Sequence, residues 1–165
     1  MTQGSRSDET RLVLSGDGFE EFVATHEHRL RQALTAACGI DQGRDAAADA
    51  LAYAWENWER VAAMANPAGY LFVVGRDLHR RRMRERRSKP VFDVGPERPE
   101  PWCEPALVAQ LGQLSDHERI AVMLANGFEW SLAEVAGLLG VSKSTVQTHA
   151  ERGMAKLRAG MGVTS

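Results

Sequence analysis

Cysteine is nearly absent: Cys38 and Cys103 are the only two among 165 residues, far apart and in no CxxC or CxxH spacing. A structural zinc site is therefore not expected, nor is a disulfide in a reducing compartment. No apolar run approaches the roughly 20 residues of a membrane span. The opening MTQGSRSDET has no hydrophobic signal core, so the expected location is the cytoplasm. Strand-type alternation and internal repeats are missing too, which leaves an all-α fold. No His, Cys and carboxylate set has metal-ligand or triad spacing, and His26 and His28 read as one core-facing and one exposed histidine. Neither an enzyme, a metal site nor a cofactor is expected.

Proline is scarce except in one place. Five of the six fall between Pro90 and Pro105, in PVFDVGPERPEPWCEP, which can be neither helix interior nor regular strand. The sixth, Pro67, follows Asn66 and suits the first turn of a helix. This divides the chain into a flexible N-terminal tail (1–16), a helical domain (17–89), a linker (90–105) and a second helical domain (106–165).

Three helices are predicted in the first domain. Phe19, Phe22, Val23, His26, Leu30, Ala33, Leu34 and Ala37 form one buried stripe that Gly39 stops. A second helix, about 45–61, is predicted to bury Leu51, Ala54, Trp55 and Trp58. Its other side carries Asp45, Asp49 and Glu56, four and seven residues apart and so on one acidic face. The third starts near Pro67, packs Tyr70, Leu71, Val74 and Leu78, and runs into RDLHRRRMRERRSK. From Arg76 to Lys89, eight basic residues stand against Asp77 and Glu85. Arg76, Arg80, Arg84 and Arg87 share one side of that helix. Charge so dense repels itself unless a polyanion neutralises it, and phosphate is the usual one.

The second domain is shorter-stepped. Leu107, Val108, Leu111 and Leu114 make an apolar stripe. SDHE (115–118) and SLAE (131–134) each read as a capping box opening a helix. Gly127 ends the first, with Ile120, Met123 and Leu124 inside. The second faces Leu132, Val135, Ala136 and Leu139 inward, and Gly140 allows a sharp turn. Ser142 then caps a last helix whose inner face is Val146, Ala150, Met154 and Leu157. This is a helix-turn-helix, a motif that places its second helix in a DNA major groove. Ser144, Thr145, Gln147, Thr148, Glu151 and Arg152 are left for bases and phosphates, and Lys143 at the helix start for phosphate.

At these residues the chain resembles a family. LSDHERIAVMLANGFEWSLAEVAGLLGVSKSTVQTHAERGMAKLR is similar to region four of bacterial RNA polymerase sigma factors, and DAAADALAYAWENWERVAAMANPAGYLFVVGRDLHRRRMRERR resembles a diverged region two. Two such regions joined by a Pro-rich linker are the layout of the extracytoplasmic-function group. The resemblance implies that Asp45, Asp49 and Glu56 dock on the beta-prime clamp helices of core RNA polymerase, with region four on the beta flap. It implies that Trp55, Trp58 and the loop from Ala62 to Asn66 melt the minus-ten element and capture a flipped base, helped by Arg76, Arg80, Arg84 and Arg87. It gives the minus-thirty-five element to Lys143, Ser144, Thr145, Gln147, Thr148, Glu151 and Arg152, and an anti-sigma factor as a further partner. Ala48 and Asp77 stand where the family usually carries Gln and Asn, and His149 and Glu151 where it is often basic or aromatic. The rival function is a LuxR-like helix-turn-helix regulator, which shares the LSxxE helix.

Overall fold

The computed structural model describes residues 4–88 and 104–163, with side chains from residue 16 onward except 17 and 88. The linker expected at 90–105 lies almost wholly outside the described residues. Eight helices and no strand occur among those described: α1 (Gly4–Cys38), α2 (Ile40–Glu56), α3 (Trp58–Ala62), α4 (Pro67–Ser88), α5 (Pro105–Gln113), α6 (Asp116–Ala121), α7 (Leu132–Leu139) and α8 (Lys143–Gly160). A π-helical turn, Val122–Gly127, prolongs α6.

In the first block α1, α2 and α4 pack along a seam of small residues. Gly43, Ala46, Ala47, Ala50 and Ala54 are the buried face of α2. A Cβ added at Gly43 would collide with the Thr35 backbone of α1, and one at Gly75 of α4 would lie 2.9 Å from the Ala46 carbonyl oxygen. Helices this close exclude bulky side chains from the contact, because their backbones leave no room for them. The structure therefore corrects one expectation: Trp55 is not buried by α2 but 54% exposed. Its ring meets Phe19 edge-on at 5.1 Å, while Trp58 sits partly buried against Phe19 and Phe22. The long core side chains come instead from Leu34, Leu71, Phe72 and Val61.

Helix limits differ as well. α1 begins at Gly4, so the segment expected as a flexible tail (1–16) is helical from that residue. No proline interrupts it, and a formed helix propagates more readily than it nucleates. α2 starts five residues before Asp45 and stops at Glu56. Asn57 breaks it, its side-chain amide donating to the Tyr53 carbonyl at 2.9 Å.

The second block follows its local signals. Ser115 and Ser131 each close a full capping box, with Glu118 and Glu134 answering from N3. Gly140 adopts the left-handed conformation at φ 67° and turns the chain into α8. Val146, Ala150 and Leu157 are buried from α8, and Gly153 lets α8 approach Val122. A buried carboxylate ties the block together: Lys156 Nζ donates to both oxygens of Glu118, at 2.9 and 2.8 Å.

The blocks are not separate bodies. One continuous core runs from Phe22, Leu34 and Phe72 to Ile120, Leu124, Trp130 and Val135.

Candidate nucleic-acid interface

Four surfaces hold the residues singled out from the sequence. On α2, Asp45 and Glu56 are exposed and Asp49 is half-buried. Asp49 is already engaged: Arg82 of α4 lies 2.5 Å from its Oδ2. The two line an open groove of about 510 Å³ with Ala52, Tyr53, Glu56 and Glu85. Arg82 therefore offsets part of the negative charge of this face, a pairing that the spacing along either helix could not announce.

The second surface surrounds the turn from Ala62 to Asn66. Asn66 opens α4, its Oδ1 accepting from the Gly69 N–H at 3.0 Å. Beside it Tyr53 and Tyr70 share a hydroxyl–hydroxyl bond of 3.1 Å, and Arg60 donates to both hydroxyls. The Tyr70 bond raises the Tyr53 pKa, with burial adding to it and Arg60 opposing it. Tyr53 and Arg60 were not picked out from the sequence and Tyr70 only as a packing residue, since each lies on a different helix and only packing unites them. They give this rim a cation set over an aromatic ring, Arg60 standing 5.8 Å from the Tyr53 centroid.

The basic helix splits in two. Arg84 and Arg87 are exposed. Arg76 is half-buried, packed 5.3 Å over the Phe72 ring. Arg80 is exposed but pairs with Asp116 of the second block at 3.4 Å, and more distantly with Asp77.

The fourth surface is the outer side of α8. Lys143, Ser144, Gln147, Thr148, Glu151 and Arg152 are exposed and Thr145 half-exposed. Ser142 caps the helix, accepting from the Thr145 N–H at 3.2 Å. Gln147 donates to Glu151 at 2.9 Å, which holds an amide and a carboxylate together one turn apart. His149 turns inward, its ring 5.3 Å from that of His117. Such an edge of donors and acceptors on a helix held only from its back matches what major-groove base edges require.

Among the described residues no group of three or more His, Cys, Asp or Glu side chains could hold a metal ion. No helix there is long and apolar enough to cross a membrane. Cys38 is half-buried, and burial pushes its thiol up to about 11 despite nearby Arg76.

Fold and site together define a helical protein whose second block is a helix-turn-helix with a polar outer side. Residues 105–157 match the family described as Sigma-70, region 4. Over most of its length the chain has the fold of the sigma factor RpoE from Bartonella quintana, solved in complex with the anti-sigma factor NepR. That likeness has a TM-score of 0.62 at 20% identity, over 90% of this chain and 99% of the other. Comparison with curated proteins finds no match. Residues 105–157 therefore carry a sigma-70 region 4 domain, within a chain whose fold is that of a sigma factor.

Proposed function

We propose that the protein joins core RNA polymerase through the α2 face bearing Asp45, Asp49 and Glu56 and directs initiation at promoters whose upstream element α8 reads. The observation that carries this reading is the exposed polar side of α8 within the segment matching sigma-70 region 4. A sigma factor works by binding, so no residue is assigned a catalytic role. Asp45 and Glu56 meet the beta-prime clamp helices, and the second block meets the beta flap. Trp55, Trp58 and the Asn66 loop lie against the strand being opened. Arg84 and Arg87 neutralise its phosphates, with Arg76 and Arg80 joining them if the blocks part. Unstacking a base costs a few kcal/mol, which such contacts offset. The protein acts in the cytoplasm. An anti-sigma factor is a further partner, by analogy with the RpoE–NepR pair. The LuxR-like alternative has no support in the family match.

Transcription with purified core polymerase tests this. The protein should start RNA chains at defined sites, and reversing charge at Asp45 and Asp49 should abolish core binding with helicity unchanged. Arg152→Ala should relax sequence preference at one upstream base by about 1–3 kcal/mol. Binding of a duplex operator as a dimer, with no affinity for core polymerase, would refute the reading.

A further inference from the structure

Five histidines occur in the chain, and two of them meet across helices. His117, in the first turn of α6, and His149, in α8, hold their rings 5.3 Å apart between centroids, with the planes inclined by 65°. His117 is exposed and His149 half-buried. Apart from this ring contact, neither imidazole has a hydrogen-bond or ion-pair partner among the described residues, and none of their nitrogens is sealed from solvent. His28, by contrast, is engaged by Arg31 and Gln32, and His26 packs on the Phe22 ring.

Two imidazoles with free nitrogens are donors for a divalent first-row transition ion. On one tetrahedral ion, nitrogens at about 2.0–2.1 Å place the two ring centroids roughly 5 Å apart, close to the separation observed. The inclination of the planes is no obstacle, because the outer torsion of a histidine is soft. The helices that carry the pair are fixed beside it by other groups. Glu118, next to His117, receives both bonds from Lys156 of α8. A Cβ at Gly153, one turn beyond His149, would press on Val122 and lie 3.2 Å from the Glu118 carbonyl oxygen. The rings are thus presented at a separation that the backbones set, as a preorganised site requires.

The surroundings select the kind of ion. Asp116 is engaged by Arg119 and Arg80, Glu118 by Lys156 and Glu151 by Gln147. No third His, Cys, Asp or Glu among the described residues is placed to complete a set of three. Calcium and magnesium, which take oxygen ligands, therefore find nothing here, while zinc, nickel and copper(II) accept imidazole. Two protein ligands are one fewer than a catalytic zinc site uses, so such an ion keeps water in its remaining positions.

We propose that His117 and His149 form a bidentate site for a divalent transition-metal ion, which braces α8 against α6. The braced helix is the one whose outer side carries Gln147, Thr148 and Arg152. The site does not depend on the sigma-factor reading.

The test uses the untagged full chain, with Cys38→Ala and Cys103→Ala removing the thiols and zinc or nickel chloride as the probe. Calorimetry should find one ion per chain, half-saturating below about 100 μM. The melting midpoint should rise with metal concentration, because the ion binds the folded state. His117→Ala and His149→Gln should each weaken binding about tenfold or more, since one imidazole remains. Their melting in chelator shows separately what each substitution costs the fold, and His28→Gln should bind as the parent does. Copper(II) should broaden the ring-proton resonances of His117 and His149 before those of His26, His28 and His79. The site is refuted if either folded variant binds as tightly as the parent, or if half-saturation needs about 100 μM or more. Broadening that begins at another histidine refutes it as well. If His117→Ala fails to fold, His149→Gln and the broadening order decide the matter. Transcription with core polymerase tests the sigma-factor reading independently, so the two can fail apart.

Discussion

In the first block three long helices pack along a seam of glycine and alanine, whereas the second block assembles short helices from capped ends. α2 follows Gly39 with no side-chain cap, yet its buried face runs unbroken for three turns. α6 spans six residues and α7 eight, and each starts on a serine that completes a capping box. A short helix leaves a large share of its N–H and C=O groups outside its own ladder. Caps then matter more, because packing has fewer turns on which to act. A long helix dilutes its ends and depends on how closely its middle can approach a neighbour.

Substitutions can break this contrast, and the largest effect should come from Val146→Asp. The valine is wholly buried, and an unpaired charge there costs about 4 kcal/mol or more. Calorimetry should show loss of the second block's transition. Because the two blocks share one core, the first block's melting should fall as well; an unchanged first transition would mean that the shared core is weak.

Next in size is Gly43→Val, which forces branched carbons against the Thr35 backbone. It should cost about 3 kcal/mol through overpacking, read from denaturant midpoints. Retention of parental stability would show that α1 and α2 are not held by a small-residue seam.

Ser115→Ala and Ser131→Ala should each cost about 1 kcal/mol, the usual effect of losing a cap. Both should lower the thermal midpoint, and glycine at the same sites should lose less.

Acid should act on the second block in the same sense but more gradually. The Lys156 bonds, with help from Ser115, hold the Glu118 carboxyl below its ordinary 4.5. The Ser131 N–H and then Arg29 do the same for Glu134. A carboxylate with a depressed folded pKa contributes stability that is complete above the unfolded value and is lost as pH falls through the folded one. Melting measured from pH 6 to pH 3 should therefore decline below about 4.5, and Lys156→Met should flatten that decline. An unaltered pH profile in Lys156→Met would remove the ion pair from the account.

The sequence by itself determined what depends on near neighbours. Both capping boxes, the Gly140 turn, the Ser142 cap and the inner face of α8 all follow from spacings of four residues or fewer. The all-α class and the exposed side of α8 were legible for the same reason. Tertiary structure decided the pairings. Trp55 is more hydrophobic than the alanines beside it, yet the alanines are buried, because closeness of approach and not side-chain hydrophobicity selects the face at a helix seam. Arg82 finds Asp49 across 33 residues, and Arg119 finds the end of α1 across 83. A spacing pattern reports which residues share a side of one helix, but which second helix meets that side depends on the global arrangement of the chain.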